Sequence, residues 1–195
     1  EDCEAVVTLI CEALGIDRLI PSTWYANHEL RQGIMVQLFK HPNLEKNRHA
    51  KKIKAVYEAL WGRKDIWVNT DRVGFNPPVT ETFPYQGAGL HWDMDLEQPE
   101  SFGLQGLLYL TDTAVNQGAF TLVPGFHHQL PAWLATLPKG ADPNQQDLHV
   151  SAAQAISAKA GDFIIWHHAL PHGASPNTAN QPRFVQYINY QPLVK

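Results

Sequence analysis

The stretch "HWDMD" at residues 91–95 sets an imidazole and two carboxylates within five positions. His91 and Asp93 are two apart, and side chains two apart on an extended chain point to the same face. One imidazole and one carboxylate on one face can grip a single metal ion, so a third ligand must come from elsewhere. Asp95 falls past the expected end of the strand and reads as a solvated or outer acid. Trp92 points away from His91 and reads as packing.

The chain has ten histidines. His28, His41 and His49 lie among lysines or polar residues and read as solvated. His127 and His128 follow "VPGF" and read as surface or supporting residues, and His149 ends a polar loop and reads as exposed. The remaining cluster is "WHHALPHGASPNTANQPR", residues 166–183. His167 and His168 end an apolar run, and His172 stands between Pro171 and Gly173, on constrained backbone that suits a ligand. Arg183 follows eleven residues later, at the head of the next strand. If the flanking strands pair antiparallel, Arg183 returns close to His172, where its planar fork can clamp a carboxylate. Two histidines and one carboxylate on one face of a metal leave three open positions, the arrangement of non-heme Fe(II) oxygenases. A bidentate oxo-acid takes two, dioxygen takes the third, and the arginine holds the far carboxylate of the acid.

These residues need a frame. With 195 residues, 44% hydrophobic and 17% charged, the chain is long enough for one domain with a real core and is not of disordered composition. A net charge of −4 with mixed signs argues against nucleic acid as partner, and no apolar run is long enough for a membrane span. No secretory-type apolar core opens the chain. Its first residue is Glu1 rather than Met, which leaves open whether the natural N-terminus lies outside it. Cys3 and Cys11 are eight apart on a helical pattern, too far for a disulfide between them. Two free thiols imply a reducing, cytoplasmic setting, and the lack of cysteine near the histidines argues against a thiolate zinc site.

The first third, residues 1–64, predicts a helical flank. Val6, Leu9, Ile10, Ala13 and Leu14 follow helical spacing and Gly15 marks a stop. The segment from Ser22 to Phe39 is ambiguous, with Ser22 a candidate N-cap. Asn43 to Trp61 reads as a helix with Ile53, Val56, Tyr57, Leu60 and Trp61 on its apolar face. From residue 65 the texture changes to short strands: "DIWVNTDRVGFNPP", "FGLQGLLYLTD", "GAFTLVPG", "GDFIIWHH" and "RFVQYINYQP". Asn116 and Gly118 mark a turn, and "LPAWLATLPKGADPNQQD" reads as a short helix and a polar loop. Helices followed by many short strands suggest a mainly β domain, a helix-flanked antiparallel barrel or sandwich, over residues 1–195.

The stretches "GLHWDMD", "NQGAFTLVPGFH", "AGDFIIWHHALPHGASPN" and "QPRFVQY" resemble, in that order, the phytanoyl-CoA dioxygenase branch of the Fe(II)/2-oxoglutarate-dependent dioxygenases. The resemblance covers most of the chain, from about residue 66 to 192. HxD alone is weak, but the ordered set with "VPGFH" between is specific. The resemblance implies a double-stranded β-helix, a jelly-roll or cupin-like barrel. It implies that His91, Asp93 and His172 bind Fe(II) and form the catalytic centre, and that Arg183 pairs with 2-oxoglutarate. Asn177 matches a family position near the ligand turn, with a plain turn-forming role as the alternative. Asn76, on the strand before the HxD, is a further candidate for co-substrate contact. Gly118 and Gly125 match family glycines and read as turn residues.

The implied reaction uses O2 and 2-oxoglutarate, releases succinate and CO2, and hydroxylates an unactivated C–H of a small organic substrate. Related halogenating enzymes carry a small residue in place of Asp93, so its carboxylate implies hydroxylation. Two alternatives stand beside this: a silent jelly-roll binding module, and a cupin-type metalloenzyme that does not use 2-oxoglutarate. Substrate identity and oligomeric state are not encoded legibly. No basic cluster marks a coenzyme A site. Trp67, Phe75, Tyr85, Trp92 and Trp166 fit either a pocket wall or a plain β core. Arg72, on the strand leading to the site, fits an anionic substrate or an ordinary salt bridge. "FPYQGAG", just before His91, reads as a flap or a connection.

Overall fold

A computed structural model describes residues 1–146, 148 and 152–193 of the chain; His149 lies outside them. Strands β1 (Arg31–Gln32), β2 (Met35–Val36), β4 (Val73–Asn76), β5 (Leu104–Tyr109), β8 (Phe163–His167) and β10 (Arg183–Tyr187) form a six-stranded sheet in the order β1-β2-β4-β10-β5-β8. Strands β6 (Phe120–Leu122), β7 (Gln154–Ile156) and β9 (His172–Ala174) form a smaller sheet, β7-β6-β9. Strands β3 (Ile66–Val68) and β11 (Tyr190–Pro192) pair separately, and all these pairings are antiparallel. His91 and His172 form a one-residue bridge that continues the small sheet past β9. Two facing antiparallel sheets with helices outside make this the double-stranded β-helix.

Strand alternation divides the large sheet into two faces. On β5, Leu104 and Leu108 join the core shared with the helices, while Leu107 and Tyr109 join the core between the sheets. On β10, Phe184 faces the helices and Val185 the interior of the barrel. Arg183 and Tyr187 share the parity of Val185 and therefore the barrel interior. The helical layer is α1 (Asp2–Leu14), α2 (Pro42–Arg48) and α3 (Lys51–Trp61); a fourth short helix, α4 (Leu130–Leu134), covers the far end. Buried polar bonds pin α2 and α3 to β10 and its continuation. Asn47 Nδ2 donates to Gln186 Oε1 at 2.9 Å, Gln186 Nε2 donates to the Leu44 carbonyl at 3.0 Å, and the Tyr57 hydroxyl donates to the Ile188 carbonyl at 2.9 Å.

Several local expectations need correction. The helix predicted from Asn43 to Trp61 is two helices, broken at His49–Ala50. On α3 the buried positions are Ile53 and Tyr57, four apart, while Val56 and Leu60 are about half exposed. Ser22 is not an N-cap; it lies inside the 3-10 turn Pro21–Thr23, and the segment after it holds the β1–β2 hairpin. These two strands bring part of the expected helical flank into the large sheet. "DIWVNTDRVGFNPP" and "RFVQYINYQP" each supply two strands, which enter different sheets. Cys3 and Cys11 are free, as expected. No helix among the described residues is long and apolar enough to cross a membrane.

Candidate metal centre

Around His91 the chain is less regular than its spacing suggests: only His91 itself is laddered, through backbone bonds of 2.9 and 3.0 Å with His172. That pairing is what unites the site. It sets the two imidazoles side by side, ring centroids 5.0 Å apart, and Asp93 reaches both. Asp93 Oδ2 lies 3.2 Å from His172 Nε2, and Asp93 Oδ1 lies 3.5 Å from His91 Nε2. The three donor atoms lie within 4.8 Å of one another.

The ring nitrogens on the far side settle the chemistry. His91 Nδ1 lies 2.9 Å from the Gly89 carbonyl, and His172 Nδ1 lies 3.0 Å from the Leu170 carbonyl. A carbonyl only accepts, so both Nδ1 atoms carry hydrogen. In the neutral tautomer each Nε2 is then a bare lone pair aimed at a carboxylate. Such an array of acceptors is held together by a cation, either shared protons or a metal ion, and a backbone carbonyl behind each imidazole is the usual support for a metal ligand. Hydrogen bonds from His172, His91 and Gln105 hold the Asp93 carboxyl well below the usual carboxylate range, and the Asp93 contact raises the His91 imidazole. His91, Asp93 and His172 therefore fit a divalent metal by donor type, tautomer and charge.

Gly173 explains the "HG" pair. A Cβ on it would lie 2.1 Å from the Gly89 carbonyl oxygen, the atom that orients His91. Sequence reasoning missed Gln105, and it offered Trp166 only as pocket wall or core, not as a hydrogen-bond donor. Gln105 Nε2 donates to Asp93 Oδ2 at 2.9 Å, and Trp166 Nε1 donates to Gln105 Oε1 at 3.2 Å. The available signal was parity: Gln105 is a polar residue on the barrel-facing side of an apolar strand.

Arg183 is 1% exposed, and its Nε and Nη2 have no hydrogen-bond partner among the described residues. The phenols of Tyr109, Tyr187 and Tyr85 all lie close enough to feel its charge. Burial raises all three phenols although Arg183 opposes this, so they stay neutral. The guanidinium is thus a buried cation with no ion-pair partner among the described residues, a costly arrangement that a bound carboxylate would relieve. Its route to the site differs from the expected one. β9 and β10 do not pair; they lie in different sheets, so Arg183 approaches from across the barrel. The residues after Ala174 cross between the sheets instead of turning back in a hairpin.

A cavity of about 740 Å³ opens onto the centre, lined by His91, Asp93, His172, Tyr85, Tyr187 and Trp166, among others; Tyr85 and Tyr187, which feel the Arg183 charge, stand between it and that buried guanidinium. Arg72 also lines it. Asn177 is fully buried; its Nδ2 donates to the Asn76 and Gln181 carbonyls and its Oδ1 accepts from Ala179 N–H, the turn-forming role. Asn76 pairs with Arg183 across the ladder and donates to the Ser175 carbonyl at 3.3 Å, packed where Gly118 has no side chain. Of the aromatic candidates, Tyr85 and Trp166 line the cavity. Phe75 and Trp92 are core, and Trp67 is 47% exposed. Asp95 is exposed and caps a local turn.

Fold and site together define a double-stranded β-helix protein with a two-histidine, one-carboxylate centre. The chain belongs to the phytanoyl-CoA dioxygenase (PhyH) family, whose profile matches residues 25–185. A candidate phytanoyl-CoA dioxygenase from Dictyostelium discoideum is 28% identical over 100 residues, 49% of this chain and 29% of that protein. The epimerase SnoN from nogalamycin biosynthesis, solved with Fe3+, alpha-ketoglutarate and nogalamycin RO, is 21% identical at TM-score 0.56, with 78% of this chain and 59% of that one covered. EctD from S. alaskensis, solved in its apoform, is 16% identical at TM-score 0.63, covering 98% and 69%. At these identities the likeness to solved structures is one of fold. The chain spans less than a third of the curated relative and little more than half of the epimerase.

Proposed function

We propose that the protein is an Fe(II)- and 2-oxoglutarate-dependent dioxygenase that hydroxylates a small organic substrate. The observation that carries this is the convergence of the His91, Asp93 and His172 donor atoms within 4.8 Å of one another, with a buried arginine on the facing sheet of the same barrel. The Nε2 atoms of His91 and His172 converge with Asp93 on a point that calls for a cation, while Arg183, buried with Nε and Nη2 unpartnered among the described residues, calls for an anion. A metal chelated by an oxo-acid with a distal carboxylate meets both. Family membership and the iron and alpha-ketoglutarate held by an epimerase of similar fold support the same reading.

His91, Asp93 and His172 would hold the iron on one face and leave three positions free. When bound, iron with 2-oxoglutarate supplies dioxygen activation, with succinate and CO2 as by-products. Arg183 would pair with the distal carboxylate, flanked by the Tyr109 and Tyr187 hydroxyls. Phe120 and Trp166 form an apolar wall beside His172, with ring centroids 6.0 and 5.0 Å from its imidazole, and exclude water there. Asp93 would take the metal position that a halide needs, which supports hydroxylation over halogenation.

The test is anaerobic mixing of protein, Fe(II) and 2-oxoglutarate, watching for the weak visible charge-transfer band of the chelate. The band is expected in the wild type and absent in His172→Ala. Metal binding without the band would favour a cupin-type enzyme that does not use 2-oxoglutarate. Absence of metal binding would favour a binding module.

A further inference from the structure

The β4 wall of the cavity carries its own recognition group, Arg72. Arg72, Gly74 and Asn76 share the barrel-facing parity of β4, and Tyr187 N–H donates to the Arg72 carbonyl at 3.2 Å, extending the β4–β10 ladder by one step. Asn76 sits on the Arg183 rung and Arg72 on the Tyr187 rung. The two arginines are thus separated along the sheet by four residues, about 13 Å at the strand rise. Arg72 lines the cavity with its side chain 41% exposed. Its Nε lies 3.4 Å from Asp71 Oδ1, and its two Nη atoms have no partner among the described residues. Asp71 Oδ2 is occupied by Asn189 Nδ2 at 2.9 Å. On the same wall, Asn69 Oδ1 is buried and accepts no hydrogen bond among the described residues.

We propose that the substrate carries a carboxylate that docks on the Arg72 fork, and a nearby N–H or O–H that donates to Asn69 Oδ1. This rests on the oxygenase reading above and adds its substrate class. The charge count selects a carboxylate. Arg72 is the one lysine or arginine on the described lining, and the adjacent Asp71 offsets part of its charge. A phosphate dianion or a coenzyme A tail would meet too little positive charge there. Phe102, Phe120 and Trp166 supply apolar wall for the rest of the molecule.

The test uses the anaerobic protein loaded with Fe(II) and 2-oxoglutarate. The probes are N-acetyl-L-leucine, N-acetyl-L-phenylalanine and phenylacetate, each beside its primary amide. Line broadening of ligand protons by the paramagnetic iron reports binding in the cavity, and titration gives Kd. The acids are expected to bind roughly tenfold to a hundredfold more tightly than their amides. Arg72→Gln should erase that preference and Arg72→Lys should keep part of it. Asn69→Ala should weaken the N-acetyl acids more than phenylacetate. Three results would each overturn the proposal: no acid bound at millimolar concentration, acid and amide bound equally, or a preference that survives Arg72→Gln. The charge-transfer band is recorded in the same samples. Its absence in the wild type removes the oxygenase reading and this proposal together. A normal band without acid preference removes this proposal alone.

Discussion

At the scale of single residues, the centre is controlled by who holds the protons. His91 is raised by its contact with Asp93, so the metal-free site binds a proton that a metal must displace. The protonated fraction of His91 grows as pH falls, and metal affinity falls with it. Affinity should therefore be flat at high pH and decline as pH drops through a point above the ordinary imidazole value. Metal titrations across a pH series, with proton release read from buffers of different ionisation heat, check this; a pH-independent affinity would contradict it. Gln105 acts one bond further out, by steadying Asp93. Gln105→Leu should cost about 10- to 100-fold in metal affinity with the fold intact, whereas Asp93→Ala should abolish tight binding.

At the scale of elements, the centre depends on how closely the chain before His91 can approach β9. Gly173 permits that approach, because any side chain would strike the Gly89 carbonyl. Gly173→Ala should displace residues 89–91, remove the carbonyl behind His91 and weaken metal binding sharply. The strain should also lower stability by about 1–3 kcal/mol. Since β9 still pairs with β6, circular dichroism should keep its β signature while metal titration fails. Loss of the fold itself would show that Gly173 serves the barrel more than the ligand. A second element-scale device lies on the opposite face. Asn47 and Gln186 tie α2 to β10 through a buried bond. Asn47→Ala leaves Gln186 Oε1 without this donor and should cost about 1–3 kcal/mol in denaturant unfolding, with metal affinity unchanged.

Across the whole molecule, stability and function pull against each other at Arg183. A buried cation facing neutral phenols costs stability in the ligand-free protein, and an oxo-acid bound there as proposed would relieve that cost. Arg183→Met should thus leave the ligand-free protein as stable or about 1–4 kcal/mol more stable. The rise in Tm on adding 2-oxoglutarate with a divalent metal, expected for the wild type, should vanish in that variant. A variant that is less stable, or that still responds to 2-oxoglutarate, would place the anion elsewhere. The helices outside the large sheet matter here too. Their apolar core backs β4, β5 and β10, the strands that carry Arg183, Gln105 and the tyrosines.

What the sequence determined by itself was whatever short-range covalent geometry dictates. The HxD spacing marked His91 and Asp93 as a pair, although the irregular chain after the His91 bridge, not strand alternation, brings the carboxylate to the imidazoles. Pro171 and Gly173 marked His172, strand texture marked the β domain, and Gly15 closed α1 in a left-handed conformation. Ordered motifs then pointed to the family. The tertiary structure alone decided matters that hang on register and packing across distant segments. It broke the helix at His49–Ala50, and it carried β9 and β10 into different sheets, so that Arg183 and His172 stand on different sheets of the barrel. It also spent the Asn177 amide on backbone groups, and it brought Gln105 and Trp166 behind Asp93 from strands whose pattern shows only alternation. A strand's own residues say which side chains share a face. Which strand lies opposite, and at what register, is set by burial across the whole barrel.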